Sequence, residues 1–379
     1  MSSNRSRAVE AVLVATLACA AFSMVRTPAS AVPIFAERYG LSCTTCHSVL
    51  PELNAFGRAF REHGYRLSLP KRATIPIALR YQEMYQSNVA PPDTRRTTGG
   101  GIVLGAAELG HVEAFVHENL GAGGGPAGLF LGYLSTYDER SGMLYRAGLF
   151  ELPLQQSPQQ RLIAATPFSI YAMTAGHDDL ALQQPRLGVE AERRSGPWYL
   201  AAAVDHGEFH GAAYGGAPLP LGYTTRPGAP ELALFVRRDI GVLTLGVEHV
   251  GGVRTIAPQG AADFSDTYRR DGVTLSAARG KWELWGEQIF GHDSDVDGHG
   301  SPLGSSGGYA MMLYRPGPHG YLSLRYDAIA NPTQQRSAAL TGALMLTPHL
   351  RLLVERDVPI GATAPPAWRA LVTTAIPWP

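Results

Sequence analysis

Leu232-Ala233-Leu234-Phe235-Val236-Arg237-Arg238-Asp239-Ile240-Gly241-Val242-Leu243-Thr244-Leu245-Gly246-Val247-Glu248 reads as two strands around a tight turn. Leu232, Leu234 and Val236 alternate with Ala233, Phe235 and Arg237. Beyond Asp239-Ile240, Leu243, Leu245 and Val247 alternate with Thr244, Gly246 and Glu248. A period of two puts successive side chains on opposite faces of a strand, so each segment has one apolar face. Sandwiches and barrels both use such strands.

Working outward, the same pattern recurs. Trp282, Leu284 and Phe290 share one parity and Lys281, Glu283 and Glu287 the other; Leu322, Leu324 and Tyr326 alternate with Ser323, Arg325 and Asp327. Sixteen strands are expected, from 77–87 to 367–377, with 111–119, 230–238, 241–250 and 268–278 among them. Connections after the even-numbered strands are brief, as at Asp138-Glu139-Arg140-Ser141, Arg194-Ser195-Gly196 and Gly280. Those after the odd-numbered strands are longer and rich in Gly and Pro. Short turns at one end, long loops at the other and an even strand number characterise bacterial outer-membrane barrels. Strand lengths near ten residues suit tilted membrane strands. Trp198, Tyr199, Tyr309, Tyr314, Tyr321, Trp368 and Trp378 lie near strand ends, where they would form interfacial girdles. The 153–183 stretch lacks alternation and is expected either in the lumen or outside. The fold class is therefore mainly β: a short helical N-terminal segment followed by an antiparallel barrel of about sixteen strands over 76–379.

Composition agrees. Among 379 residues, 43 Gly and 28 Pro favour turns and strands. Thirty-two basic residues balance thirty-two acidic ones, which removes the electrostatic case for nucleic acid. Arg5 and Arg7, an apolar run from Ala11 to Val25, and Ala29-Ser30-Ala31 form an export leader over 1–31. A lipoprotein site at Thr16-Leu17-Ala18-Cys19 fits less well, being inside the apolar run. Past the leader, no apolar run is long enough for a membrane-spanning helix.

The chemistry sits at Cys43-Thr44-Thr45-Cys46-His47. C-x-x-C-H is the attachment signature of a c-type haem. Each thiol can add to one porphyrin vinyl group, and the adjoining His47 ligates the iron from the proximal side. A thioredoxin-like pair would need a βαβ context, and a zinc site a second pair of ligands. The only other cysteine is Cys19, inside the leader. One covalent haem, held by Cys43, Cys46 and His47, is the expected cofactor. Export fits, since covalent haem is attached outside the cytoplasm.

Residues 32–72 form the haem segment. Pro33 opens a helix that Gly40 closes, and Pro51 opens a second that Gly64 stops. Leu50, Leu53, Phe56 and Phe60 recur every three or four residues, an apolar face expected against the porphyrin. So short a segment cannot bury an adequate core alone. It is expected as a plug in the barrel lumen.

Ala31-x-Pro33-x-Phe35-Ala36, Gly40-x-x-Cys43-x-x-Cys46-His47, Pro51-Glu52-Leu53-x-x-Phe56-Gly57-Arg58-x-Phe60 and Gly64-Tyr65 resemble the N-terminus of the fused cytochrome–porin iron oxidases. Ala147-Gly148-x-Phe150-Glu151-Leu152-Pro153 is similar to a barrel segment of that family. The resemblance implies an outer-membrane monohaem cytochrome that passes electrons from extracellular Fe(II) to a periplasmic carrier. It implies thioethers on Cys43 and Cys46 and proximal ligation by His47. The chain is short for the family, mainly in its loops.

The sixth iron ligand stays open between His63 and Met84, against a solvated helix end and simple packing respectively. Met ligation would raise the potential relative to two histidines. His292-Asp293-x-Asp295-x-Asp297-Gly298-His299, following the eleventh strand, is a candidate extracellular iron site, as are Asp205, His206, Glu208 and His210. His177-Asp178-Asp179 is a weaker one. Asp293-x-Asp295-x-Asp297-Gly298 also looks like the start of a calcium loop, but Gly304 stands where its bidentate Glu belongs. Solvated loop polarity is the bland account of all three. No arrangement points to hydrolysis or group transfer. The competing functions are a haem-bearing diffusion porin and a soluble periplasmic cytochrome with a β-sandwich.

Overall fold

A computed structural model describes residues 33–67, 77–88, 95–120, 127–156, 163–173, 181–208, 223–258, 262–331, 333–347, 349–362 and 364–378. The expected leader, with Cys19, and His177, Asp178, Asp179 and His210 lie outside them.

The barrel strands run from β3 (Ile77–Ser87) to β18 (Ala367–Trp378), each antiparallel to its neighbours, and β18 pairs with β3 to close a sixteen-strand ring. A closed barrel leaves no free sheet edge, and the sandwich reading is thereby corrected. The opening stretch forms β10 (Tyr223–Ile240) and β11 (Leu243–Pro258). Ile240 pairs with Leu243, so the turn is Gly241-Val242, two residues beyond the expected Asp239-Ile240. Gly241 takes φ 62°, which a side chain would strain.

The alternation is the reverse of a soluble sheet. Leu232, Leu234, Leu243, Leu245 and Val247 face outward and are exposed, whereas Glu231, Ala233, Phe235 and Glu248 are buried inside. Leu187, Val189, Leu200, Val273, Leu284, Leu324 and Leu340 extend this apolar belt around the ring. An aqueous surface that apolar would be unfavourable everywhere; hydrocarbon satisfies it. The inner face carries paired charges instead. Arg186 meets Glu231 at 2.6 Å, Arg270 meets Asp293 at 2.9 Å, and Arg146 bridges Glu190 and Glu192 at 2.6 and 3.0 Å. The girdle expectation divides: Trp198 faces out, but Tyr199, Tyr309 and Tyr321 point into the lumen.

Among the described residues, two pieces of chain occupy that lumen. The first is the N-terminal segment: α1 (Pro33–Tyr39), α2 (Cys43–Cys46), a hairpin of β1 (His47–Val49) and β2 (Glu52–Leu53), and α3 (Ala55–Glu62). It lies toward the short-turn end. Arg66 donates to the Gly110 carbonyl at 2.8 Å, and Glu62 meets Arg194 at 2.6 Å. Arg38 and Glu113 of β5 (Val112–Leu120) pair with both side chains buried.

The second piece follows β7 (Met143–Phe150). Its described parts, 151–156, 163–173 and 181–185, fold into the lumen from the long-loop end. Ala165 and Thr166 N–H donate to Glu355 at 3.0 and 2.7 Å, Tyr171 donates to Glu287 at 2.6 Å, and Tyr321 donates to the Ile163 carbonyl. Ile163, Phe168, Ile170 and Tyr171 join the inward-facing barrel side chains in one apolar core.

Candidate cofactor site

The N-terminal segment is built to present one small loop. Gly40, at φ 63°, ends α1: Leu41 N–H bonds back to Ala36 O at 2.9 Å and Gly40 N–H to Glu37 O at 3.3 Å. Those two bonds are a glycine-capped helix end. The chain then enters Cys43-Thr44-Thr45-Cys46 as a single helical turn. Asn54, not Pro51, caps α3; its side-chain oxygen accepts from Gly57 N–H at 2.9 Å. Its amide donates to Thr45 O at 3.0 Å, which ties the helix to the cysteine turn. The helix expected from Pro51 therefore starts four residues later, because 47–53 form the hairpin. A Cβ on Gly57 would overlap the Cys46 carbonyl oxygen, so only glycine permits this approach.

Cys43, Cys46 and His47 line a mainly apolar cavity between the N-terminal segment and the barrel wall. Leu53, Gly57 and Phe60 supply the α3 side. The expected apolar stripe is corrected at Phe56, which is exposed and does not line the cavity. Arg80 of β3, Leu104 of β4 (Arg95–Leu109), and Phe115 and His117 of β5 supply the barrel side. The cavity thus belongs to neither part alone.

Both thiols are free of a disulfide. Burial, and then the neighbouring Cys43, push the Cys46 thiol up, the opposite of what a redox-active nucleophile needs. His47 Nδ1 lies 3.0 Å from the Pro51 carbonyl. A carbonyl only accepts, so Nδ1 carries the proton and Nε2 carries the lone pair. Arg80 is buried and its Nε has no hydrogen-bond partner.

The other candidates sit elsewhere. His63 is the exposed C-cap of α3; its ring bonds to Ala59 O at 2.6 Å and packs on Tyr137. Met84 packs on the apolar core and does not line the cavity. Neither is placed to reach this cavity. His292 faces outward while Asp293 is buried against Arg270, since neighbours on a strand take opposite faces. Asp295 and Asp297 accept backbone N–H groups of the following turn. Asp205 is buried and His206 is exposed on the other face of β9 (Trp198–Glu208). Among the described residues, no three His, Cys, Asp or Glu side chains cluster as a metal site. His117 lines the cavity from an inward position of β5, and nothing in the sequence sets it apart from ordinary lumen polarity.

The fold is that of a sixteen-strand porin-type outer-membrane barrel. It resembles an anion-selective porin from Comamonas acidovorans with a TM-score of 0.58 and 13% identity, over 80% of this chain and 99% of that one. It resembles the outer membrane channel DcaP of Acinetobacter baumannii with a TM-score of 0.56 and 12% identity, over 80% and 96%. OmpF of Salmonella typhi superposes with a TM-score of 0.56 at 6% identity, over 80% and 97%. No family model and no curated protein matches the chain.

Proposed function

We propose that this chain is a bacterial outer-membrane electron-transfer protein, with a c-type haem seated between the N-terminal segment and the barrel wall. The observation that carries this reading is the shared cavity. Cys43, Cys46 and His47 line it together, and its walls are mainly apolar, as a porphyrin face requires. Cys43 and Cys46 would hold the vinyl-derived thioethers. The bond to Pro51 O fixes the His47 ring with Nε2 free to bind the iron, and Arg80 would offer a buried positive charge to an anionic edge. Haem, when bound, supplies reversible one-electron chemistry at its iron.

The protein's own work is placement. Its apolar belt fits hydrocarbon on the outside, while the inward pairs and the two lumen segments fill the interior. On this reading a redox centre would sit inside an insulating layer. The resemblance of residues 31–65 to the cytochrome–porin iron oxidases supplies the donor and acceptor of the proposal: extracellular Fe(II) and a periplasmic carrier. The test is anaerobic mixing of purified haem protein with Fe(II) while haem absorbance is followed. Reduction of the haem is expected; no reduction at any pH would remove iron as the donor.

The porin likeness favours a second reading, a haem-bearing diffusion porin. The Comamonas neighbour is described as anion-selective and DcaP as a channel. Against it stands the packing of 163–173 onto β13 (Trp282–Asp293), β15 (Gly320–Asn331) and β17 (Leu350–Pro359) across the lumen. Planar-bilayer conductance separates the two.

A further inference from the structure

His117 is the oddest buried polar group beside the cavity. Its side chain is 3% exposed, and neither ring nitrogen has a geometric hydrogen-bond partner among the described residues. Asn119, the next inward residue of β5, is near enough for a weak side-chain hydrogen bond to the ring, but not with the geometry of a formed one. Phe130 packs on it, ring centroids 4.7 Å apart. Burying an imidazole with both nitrogens unpaired is costly, and native interiors avoid it. Such a group calls for a ligand.

The cavity names the ligand. His117 lines the same space as Cys43, Cys46 and His47. Besides those three, it is the lining residue with a nitrogen or sulfur donor suited to iron; Arg80 stays protonated and donates only. Neutral imidazole is a common iron ligand.

We infer that His117, on the barrel wall, is the second axial ligand of the haem iron, so that the centre is ligated by two histidines. This rests on the haem reading above. It makes the barrel a contributor to the redox site: one ligand comes from the N-terminal segment and the other from β5. Two imidazoles also set the potential below that of a His/Met centre.

The test uses full-length holoprotein in detergent, with barrel folding checked by heat-modifiable migration. Wild type is expected to hold covalent haem, resistant to denaturing extraction, with a six-coordinate low-spin spectrum and no methionine–iron band. His117→Gly is expected to keep the covalent haem and turn high-spin, and added imidazole is expected to restore the low-spin spectrum. His117→Met is expected to gain the methionine–iron band and a higher reduction potential. A low-spin spectrum in His117→Gly without imidazole, or a high-spin wild type, would overturn the ligand assignment while leaving the haem in place. Wild type without covalent haem would overturn the haem reading itself.

Discussion

Arg38 and Glu113 meet through two parallel hydrogen bonds of 2.9 and 2.7 Å, with neither side chain exposed. They join α1 of the N-terminal segment to the barrel wall, four residues along β5 from His117. Removing one partner of such a pair leaves a buried charge and costs about 3–5 kcal/mol. Glu113→Ala is expected to loosen the segment, seen as protease cleavage within 33–67 while the barrel stays heat-modifiable. Replacing both by apolar residues, Arg38→Met with Glu113→Leu, is expected to recover protection. Equal cleavage in both variants would show that the pair is incidental.

Gly57 and Asn54 set how closely α3 approaches the cysteine turn. Gly57→Ala forces a methyl group against the Cys46 carbonyl oxygen and to 2.9 Å from Leu53. A large fall in covalent haem per folded barrel is expected. Asn54→Ala loses the cap and the bond to Thr45, about 1 kcal/mol for a cap of this kind. Its loss of haem should be smaller, and haem absorbance per barrel ranks the two.

Glu355 holds the inner segment by accepting from Ala165 N–H, Thr166 N–H and the Thr166 hydroxyl. Glu355→Ala is expected to raise ion conductance in planar bilayers well above the wild-type level. A wild type that already conducts like an open porin would show that the inner segments do not obstruct the lumen.

Leu234 faces outward in the apolar belt. Leu234→Arg is expected to cost up to about 2–4 kcal/mol on folding into lipid, the range for a cation on the lipid face near the bilayer midplane. Urea titration of the protein folded into vesicles measures it. An unchanged midpoint would place Leu234 outside the hydrocarbon.

Much of the barrel was legible, because alternation is a local signal. The expected 111–119 is observed as Val112–Leu120, and 268–278 as Phe264–Arg279. The errors lie at the long-loop end. The expected 230–238 and 241–250 continue as a paired ladder to Tyr223 and Pro258, through Pro227, Gly251 and Gly252. Those residues read as loop because Gly and Pro punctuate most strands, yet a long hairpin tolerates them past the membrane belt. In the N-terminal segment, Gly40 and Gly64 carry their signal in one residue and ended helices as expected. Pro51 misled, because a proline preceding a helix also suits a hairpin turn. His117 was out of reach. Its oddity is the absence of partners, a three-dimensional property that no spacing encodes.

Cys43 is only 6% exposed once the N-terminal segment is seated. A sulfur so enclosed is hard for a porphyrin to reach with the segment in place. On the haem reading, thioethers would then form while residues 33–67 are still clear of the ring, and the barrel would shut around a centre already joined to its chain.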